Sequence, residues 1–362
     1  MHKSYEKIMQ EELVKVVTAI NTNEKIDTDI ESFVNAYKVP TVKSLQSLVR
    51  NYCGLYGWDA NLNWIDVSDL DSLEEVFSHT DFNGDISKWN TSRIKNFNMT
   101  FSHSKFNGDI SKWDTSKAEL MEFMFSFCPF NGDISNWDVS ELYSAEGMFC
   151  RSDFNGDISK WNVSNLVNMS RMFEYTKFNG DISNWDTSNV ITMDGLFLGA
   201  TFNGDISKWN TENVVSMQYT FQKSKFNGDI SNWKVYNCKY FKSTFANSIF
   251  TGDISKWNTV SATTMTYMFA NSKFNGDLSM WDTSNVQTML KMFNDSEFNK
   301  DISYWDVDNV KNFQEMFADS EFTGDISLWS IRPRAKVTKM FHNCLVMDRN
   351  LPHILKNNKD IL

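Results

Sequence analysis

Apolar positions recur along most of this chain at one fixed interval, the distance from Phe178 to Phe202. In the stretch FNGDISNWDTSNVITMDGLFLGAT, residues 178–201, Phe178, Ile182 and Trp185 form one apolar group, and Val190, Met193, Leu196 and Phe197 form a second. The second group falls at i, i+3, i+6 and i+7, which predicts one face of a short helical segment, and Ser188 or Asn189 stands where an N-cap would be. The first group brackets a brief Asp-Ile-Ser strand. Each unit therefore reads as strand, corner, helical segment, corner.

The leading Phe falls at 82, 106, 130, 154, 178, 202, 226, 250, 274, 298 and 322, without one insertion. A degenerate unit precedes them from about Trp58, and a truncated one closes with KVTKMFHNC, making about twelve turns. A fixed period of this length is the mark of a solenoid in which each turn buries its face against the next. The expected fold is an α/β repeat solenoid over residues 58–345, with one strand and one helical segment per turn. A helical N-terminal cap is expected over residues 1–57, with helices near 4–20, 27–38 and 41–53, and a C-terminal cap with a last short helix over 346–362.

Stacking at about 4.8 Å per turn gives a strand side about 58 Å long, and a roomier helical side would curve the rod. Phe77, Phe101 and their equivalents to Phe341 should stack as one ladder, and the tryptophans from Trp89 to Trp329 as another. The recurrent Gly, as at 84, reads as a corner demanding positive φ. On that reading Lys300, which replaces it once, makes the most strained turn.

Composition narrows the function classes. Aromatic residues make up 15% of the chain, enough for a continuous core, and only 4 prolines interrupt it. The formal charge of -11 is spread along the whole chain, a field that repels nucleic acid and anionic bilayers. No apolar run approaches a membrane span, and the N-terminal segment is amphipathic with internal charges. Five cysteines without a CxxC pair read as free thiols in a reducing compartment. The expected setting is cytoplasmic or inside a viral or host assembly, with a protein as partner. Neither nucleic acid binding nor membrane insertion is expected, and a homo-oligomer is compatible with the pattern.

The strings DTSNVITMDGLF at 186–197 and DTSNVQTMLKMF at 282–293, each followed at the start of the next unit by a GDIS tetrad or its KDIS variant, resemble BspA-type leucine-rich-repeat surface proteins, including mycoplasma surface lipoproteins of unknown function. LQSLVRNYCGLYGW, residues 45–58, is similar to the short helix that leads into such arrays, so the resemblance covers residues 45–345. It implies a leucine-rich-repeat-like fold and, as an alternative function, a cell-surface adhesin. The units of 24 are shorter than the family's commoner repeat, Ser or Thr mostly replaces its Cys (Cys128 and Cys344 keep it), and no lipoprotein signal is present.

Candidate chemistry begins with an Asp at the fourth position of every unit, from Asp85 to Asp325. Carboxylates about 5 Å apart at an effective dielectric of about 20 repel by roughly 3 kcal/mol per pair, so something must offset the charge. Backbone N–H groups at the corner, or a hydroxyl such as that of Ser87, would do so. A string of calcium ions is the alternative, and would make the chain a calcium-stabilised rod. His79 and His103, one period apart, should be neighbours, but Phe127 and Arg151 follow them where a third metal ligand would stand. No nucleophile triad, P-loop or HExxH occurs, so no enzyme activity and no cofactor are expected.

In such an array, function is expected where the units differ. Thirteen residues after the leading Phe, on the wheel face opposite the core, stand Tyr143, Val167, Ile191 and Val215, flanked by charged residues. Six residues after it, Lys or Asn gives way to Met280, Tyr304 and Leu328 in the last three units, as a contact surface or as cover for the open end. These seven residues are the partner-binding candidates.

Overall fold

The structure is a computed structural model that describes residues 37–356 and 358–361. The expected helix at 4–20, and nearly all of that at 27–38, lie outside the described residues. Tyr37–Lys38 are instead a two-residue strand, β1, paired in parallel with β2, Ile65–Asp66. Helix α1 spans Val42–Tyr56. Thr41 caps it by accepting the Ser44 N–H at 3.1 Å, and Gly57 at φ 100° ends it by donating its N–H to the Cys53 carbonyl. Its buried face is Leu45, Val49, Tyr52 and Cys53, at i, i+4, i+7 and i+8, and Gln46 Nε2 donates to the Glu74 carbonyl of the first turn of the stack.

From there the chain winds in turns of equal length, each bonded to the one before. Parallel bridges join Ser72, Asn96, Leu120, Ser144 and their equivalents to Lys336 in one unbroken column. The expected helical segments are not helices: among the described residues, α1 is the one α-helix. In residues 193–200, Leu196, Leu198 and Ala200 donate to the carbonyl three residues back, while Met193, Gly195, Phe197 and Gly199 donate to Ser216, Gln218, Thr220 and Gln222 of the next turn. The segment is thus a ribbon of overlapping β-turns. A helix would consume every N–H within the segment, whereas the ribbon spends alternate N–H groups on the neighbouring turn. Val190, Met193, Leu196 and Phe197 are still all buried, because a chain turning every two residues also brings such spacings to one side.

The core ladders run the length of the stack. The spine from Phe77 to Phe341 has centroid steps of 5.4–6.0 Å between nearly parallel rings. Seven steps of the Trp ladder are 6.3–6.5 Å with interplanar angles of 2–7°, so nearly parallel rings measure the distance between turns on that side. The bridged side is held at about 4.8 Å by backbone hydrogen bonds. The turns are therefore closer together at the bridged ribbon than at the Asp-Ile-Ser segment, the wide side of the stack. This reverses the expectation that the ribbon segment would be the roomier side.

On the wide side, side chains bridge the larger gap. Asn107 N–H donates to Asn83 Oδ1 at 2.8 Å, Asn131 N–H to Asn107 Oδ1, and so on to Thr251. Every tryptophan from Trp89 to Trp329 donates its Nε1–H to a carbonyl 27 residues back, as Trp209 does to Ile182 at 3.0 Å. Buried Thr187 donates its hydroxyl to the Asn210 carbonyl of the following turn.

The recurrent glycine is not at positive φ. A Cβ on Gly180 would stand 2.8 Å from a ring carbon of Phe178, so the position is small because the folded-back Phe ring lies against it. Lys300 likewise sits outside the left-handed region, so the strain expected of it is absent. At the end of the stack, 3-10 turns at Asp348–Asn350 and Lys359–Ile361 replace the single short helix expected there, and Leu351, Leu355 and Ile361 are buried.

Candidate ligand-binding face

Each unit offers two kinds of surface position, and the wide side is the more uniform. There the aspartates hold their own corners: Ser87 N–H donates to Asp85 Oδ1 at 3.0 Å, and the bond recurs in all eleven units through Ser327 and Asp325. The Ser N–H and hydroxyl hold the carboxyls of Asp85, Asp109 and Asp205 below the usual carboxylate range. At a step of about 6.3 Å in water the repulsion between neighbours falls below about 1 kcal/mol. The Asp ladder is thus accounted for by local bonds.

The ribbon side is where the units diverge. Two columns on it, at residues 99 and 103 and their equivalents, have φ of 51–65°. In the first stand Met99, Phe123, Gly147, Arg171, Gly195, Tyr219, Ser243 and Tyr267. In the second stand His79, His103, Phe127, Arg151, Tyr175, Gly199 and Lys223. A left-handed non-glycine residue costs about 1–2 kcal/mol, and 21 of the described residues carry that cost.

The second column forms a stack. His79 and His103 lie 4.5 Å apart at 20°, and His103 and Phe127 4.5 Å apart at 19°. The Arg151 guanidinium stands 5.4 Å from the Phe127 centroid and 4.2 Å from that of Tyr175. The Tyr175 ring leans over Gly199, where a Cβ would lie 2.3 Å from a ring carbon. Burial first, and then the neighbouring His79, holds the His103 imidazole below its ordinary pKa. The two histidines form a stacked pair, and among the described residues no three His, Cys, Asp or Glu side chains converge as a metal site.

In the turn 178–201 both left-handed columns hold glycine, at Gly195 and Gly199. The Arg171 side chain lies over Gly195, where a Cβ would stand 3.3 Å from its Cγ, much as the Tyr175 ring lies over Gly199. Beside Gly195 is a groove of about 610 Å³ whose lining includes Glu146, Arg171, Glu174, Asp194, Leu198 and Tyr219. Arg171 Nε donates to buried Glu174 at 2.5 Å, and that bond holds the guanidinium pKa up. Asp194 accepts from Ser216 Oγ and from the Gln218 N–H. A second groove, of about 440 Å³, lies on the last turns between Val310, Lys311 and the segment 332–335.

Tyr143, Val167, Ile191 and Val215 are one continuous column beside the bridges, since each N–H donates to the carbonyl of the residue before it in the series at 2.8–2.9 Å. Tyr143 and Ile191 are exposed, and the two valines half-buried. Met280, Tyr304 and Leu328 stand at the turn tips of the wide side with relative exposures of 81%, 82% and 69%. They cover nothing, so the reading of them as an end cap does not hold; residues 348–361 close the end instead. The two candidate groups therefore lie on different sides of the stack. The residues lining the larger groove were missed by sequence reasoning. Their signal was three glycines, at 147, 195 and 199, outside the recurrent FNGD tetrad.

All five cysteines are free, and four are buried. Burial pushes the thiols of Cys53, Cys128 and Cys150 up to about 11. Among the described residues no helix is long and apolar enough to cross a membrane.

A family model described as "Mycoplasma protein of unknown function, DUF285" matches residues 43–155, 148–249, 175–273 and 241–354. The four matches overlap and run from α1 to the closing segment. No curated protein and no solved structure matches the chain.

Proposed function

The chain belongs to this mycoplasma repeat family of unknown function, and from that premise we propose that it is a non-enzymatic scaffold which holds a protein ligand on the ribbon side of a curved, leucine-rich-repeat-like solenoid. One observation carries the reading. The recurrent residues of each unit are consumed in joining turns, while most of the variation between units collects on one exposed side. The Asn, Trp and Thr ladders bond turn to turn, and the Asp of each tetrad bonds within its own corner. The ribbon columns change from turn to turn and keep bulky residues at left-handed φ, where glycine would cost less. Such strain, held on an exposed side and supported by a rigid stack, is what a recognition surface looks like.

The BspA-type likeness supports the same class of function and adds a surface-displayed adhesin as the form it would take outside the cell. The test is affinity capture, partner identification and reconstitution with the purified partner, using two folded variants. One carries Tyr143→Ser, Ile191→Ser and Tyr175→Ser on the ribbon side, the other Met280→Ser, Tyr304→Ser and Leu328→Ser on the wide side. Loss of the reconstituted complex in the first variant alone is the expected result. Loss in the second alone moves the ligand to the wide side, and equal binding by both overturns the reading.

A further inference from the structure

The two ends of the ribbon side carry opposite charge, and the turns next to them carry it in reverse. Resting on the reading of this side as the recognition surface, we propose that its ligand is a second copy of this chain. The copies pair ribbon to ribbon and antiparallel about a two-fold axis, so that the last turn of each lies against the first turn of the other.

The last turn, residues 330–345, holds Arg332, Arg334, Lys336 and Lys339 and no carboxylate. All four are exposed, and among the described residues none of them makes an ion pair. With Lys311, Arg332 and Arg334 line the groove of about 440 Å³, whose other walls are Val310, Pro333 and Ala335. Arg334 stands where earlier turns bury an aliphatic residue such as Val286 or Val310. Pro333 replaces an asparagine that elsewhere ties its turn to the one before, as Asn309 Nδ2 does by donating to the Ser284 carbonyl at 2.7 Å. The last turn thus gives up two stacking residues and gains a basic groove with apolar walls.

The same segment of the first turn, residues 66–81, holds six carboxylates and no lysine or arginine. Asp69 is taken by Lys38 and Arg93, and Asp81 by Lys105. Asp71, Glu74 and Glu75 are exposed and make no ion pair among the described residues.

One turn inward, both signs reverse. Residues 90–105 hold Arg93, Lys95 and Lys105 without a carboxylate, and residues 306–321 hold five carboxylates against Lys311. From its start the ribbon therefore runs acidic then basic, and from its end basic then acidic. Two copies laid antiparallel match in charge at both outer turns, at both ends of the pair, whereas two laid parallel set like charge on like. Sliding one copy by a single turn sets the acidic first turn against the acidic penultimate turn, or the basic second turn against the basic last one. The inner turns divide evenly, two pairs opposed in sign and two alike, so the ends decide the register.

That register places the axis between the turns of Ile191 and Val215, within the apolar column. Exposed ion pairs are weak singly, so the charges set orientation and register while the column supplies apolar area. The face spans the eleven bridges from Ser72 to Lys336, about 53 Å, and a contact about 15 Å wide along it reaches the roughly 800 Å² per partner of a stable dimer. A head-to-tail chain of copies would join the same ends but leave the apolar column bare.

The test is sedimentation velocity of the whole protein across a dilution series. A species of twice the chain mass of 42.0 kDa is expected at about 0.1 M salt, with a dissociation constant at least about tenfold higher at about 0.5 M, where the screening length falls from about 10 Å to about 4 Å. Two variants reverse one end each: Asp71→Lys, Glu74→Lys and Glu75→Lys in the first, Arg332→Glu, Arg334→Glu and Lys336→Glu in the second. Each alone should be monomeric, and a mixture of the two should recover a one-to-one dimer, because each end again meets its opposite. A third variant, Lys112→Glu, Lys160→Glu and Lys208→Glu, changes the net charge as the second does but on the wide side, and should dimerise as the wild type does. All the substituted residues are exposed, and folding is checked by circular dichroism.

A monomeric wild type, a dimer that survives both end variants, a mixture that does not recover it, or growth beyond the dimer with concentration each overturns the two-fold pairing. If the pairing falls while the ribbon-side variant Tyr143→Ser, Ile191→Ser and Tyr175→Ser still loses its reconstituted partner, the recognition surface stands with a different ligand. If that partner is also retained, both readings fall.

Discussion

Asp205 shows how little of each unit is free for chemistry. Its carboxylate accepts the Ser207 N–H at 2.9 Å, its pKa is held down by that serine, and it stands at a corner between the Phe202 and Trp209 ladders. Asp205→Asn keeps an oxygen for the bond and should be nearly neutral, whereas Asp205→Ala should lower the urea midpoint measurably. Because the folded-state pKa of these aspartates lies below the unfolded one, their contribution is fully present above about pH 4 and is lost as the pH falls through the folded value. The melting temperature should therefore be flat from neutral to about pH 4.5 and drop below that, and a chelator should leave it unchanged at neutral pH. A fall in melting temperature with EDTA would restore calcium to this ladder. The glycine of the same tetrad makes a sharper contrast. Gly180→Ala drives a Cβ against the Phe178 ring and should cost about 1–3 kcal/mol, and Lys300→Gly, which relieves no left-handed strain, should gain no more than the relief of the same crowding.

At the scale of the element, the ribbon is where the sequence was hardest to read. The period, the Phe and Trp ladders, and a helix leading into the stack were all legible, because identical side chains one period apart leave a turn little choice but to stack. The ribbon was not legible as such, because Val190, Met193, Leu196 and Phe197 satisfy a helical face and a run of β-turns equally well. What separates the two is where alternate N–H groups go, which no side chain in the unit announces. The left-handed columns and the groove beside them were hidden too, because no residue type marks the columns: Met99, Arg171 and Lys223 all stand in them. Those columns give a direct check. Lys223→Gly should raise stability by about 0.5–1 kcal/mol, since a left-handed φ costs lysine more than the added chain entropy costs glycine. The same change at Thr220, buried and bonded to the Met193 and Met217 carbonyls, should lower it. A loss of stability at Lys223 would mean that the ribbon is held in another conformation in solution.

For the whole molecule, each turn bonds to two neighbours, so the ends must be closed or the stack becomes a template for further chains. At the start, α1 lays its apolar face over the first turn. At the far end, Lys339 and Phe341 donate their N–H groups to the carbonyls of Asp360 and Ile361, Ile326 donates to Asn350, and Asn350 Nδ2 donates to the Thr323 carbonyl. The closing segment thus takes the place of a missing turn, with Leu351, Leu355 and Ile361 supplying its apolar face. Ending the chain at residue 347 would leave those donors unpaired and bare the last rungs of both ladders, Trp329 and Phe341. The shortened protein should associate with itself in a concentration-dependent way by light scattering, while deletion of one internal unit, residues 202–225, should leave a stack of correct register that is no more prone to associate than the full chain. If the shortened chain associates no further than the full one and keeps its melting temperature, residues 348–361 are not the cap, and the exposed Met280, Tyr304 and Leu328 become the surface on which to look for what closes that end.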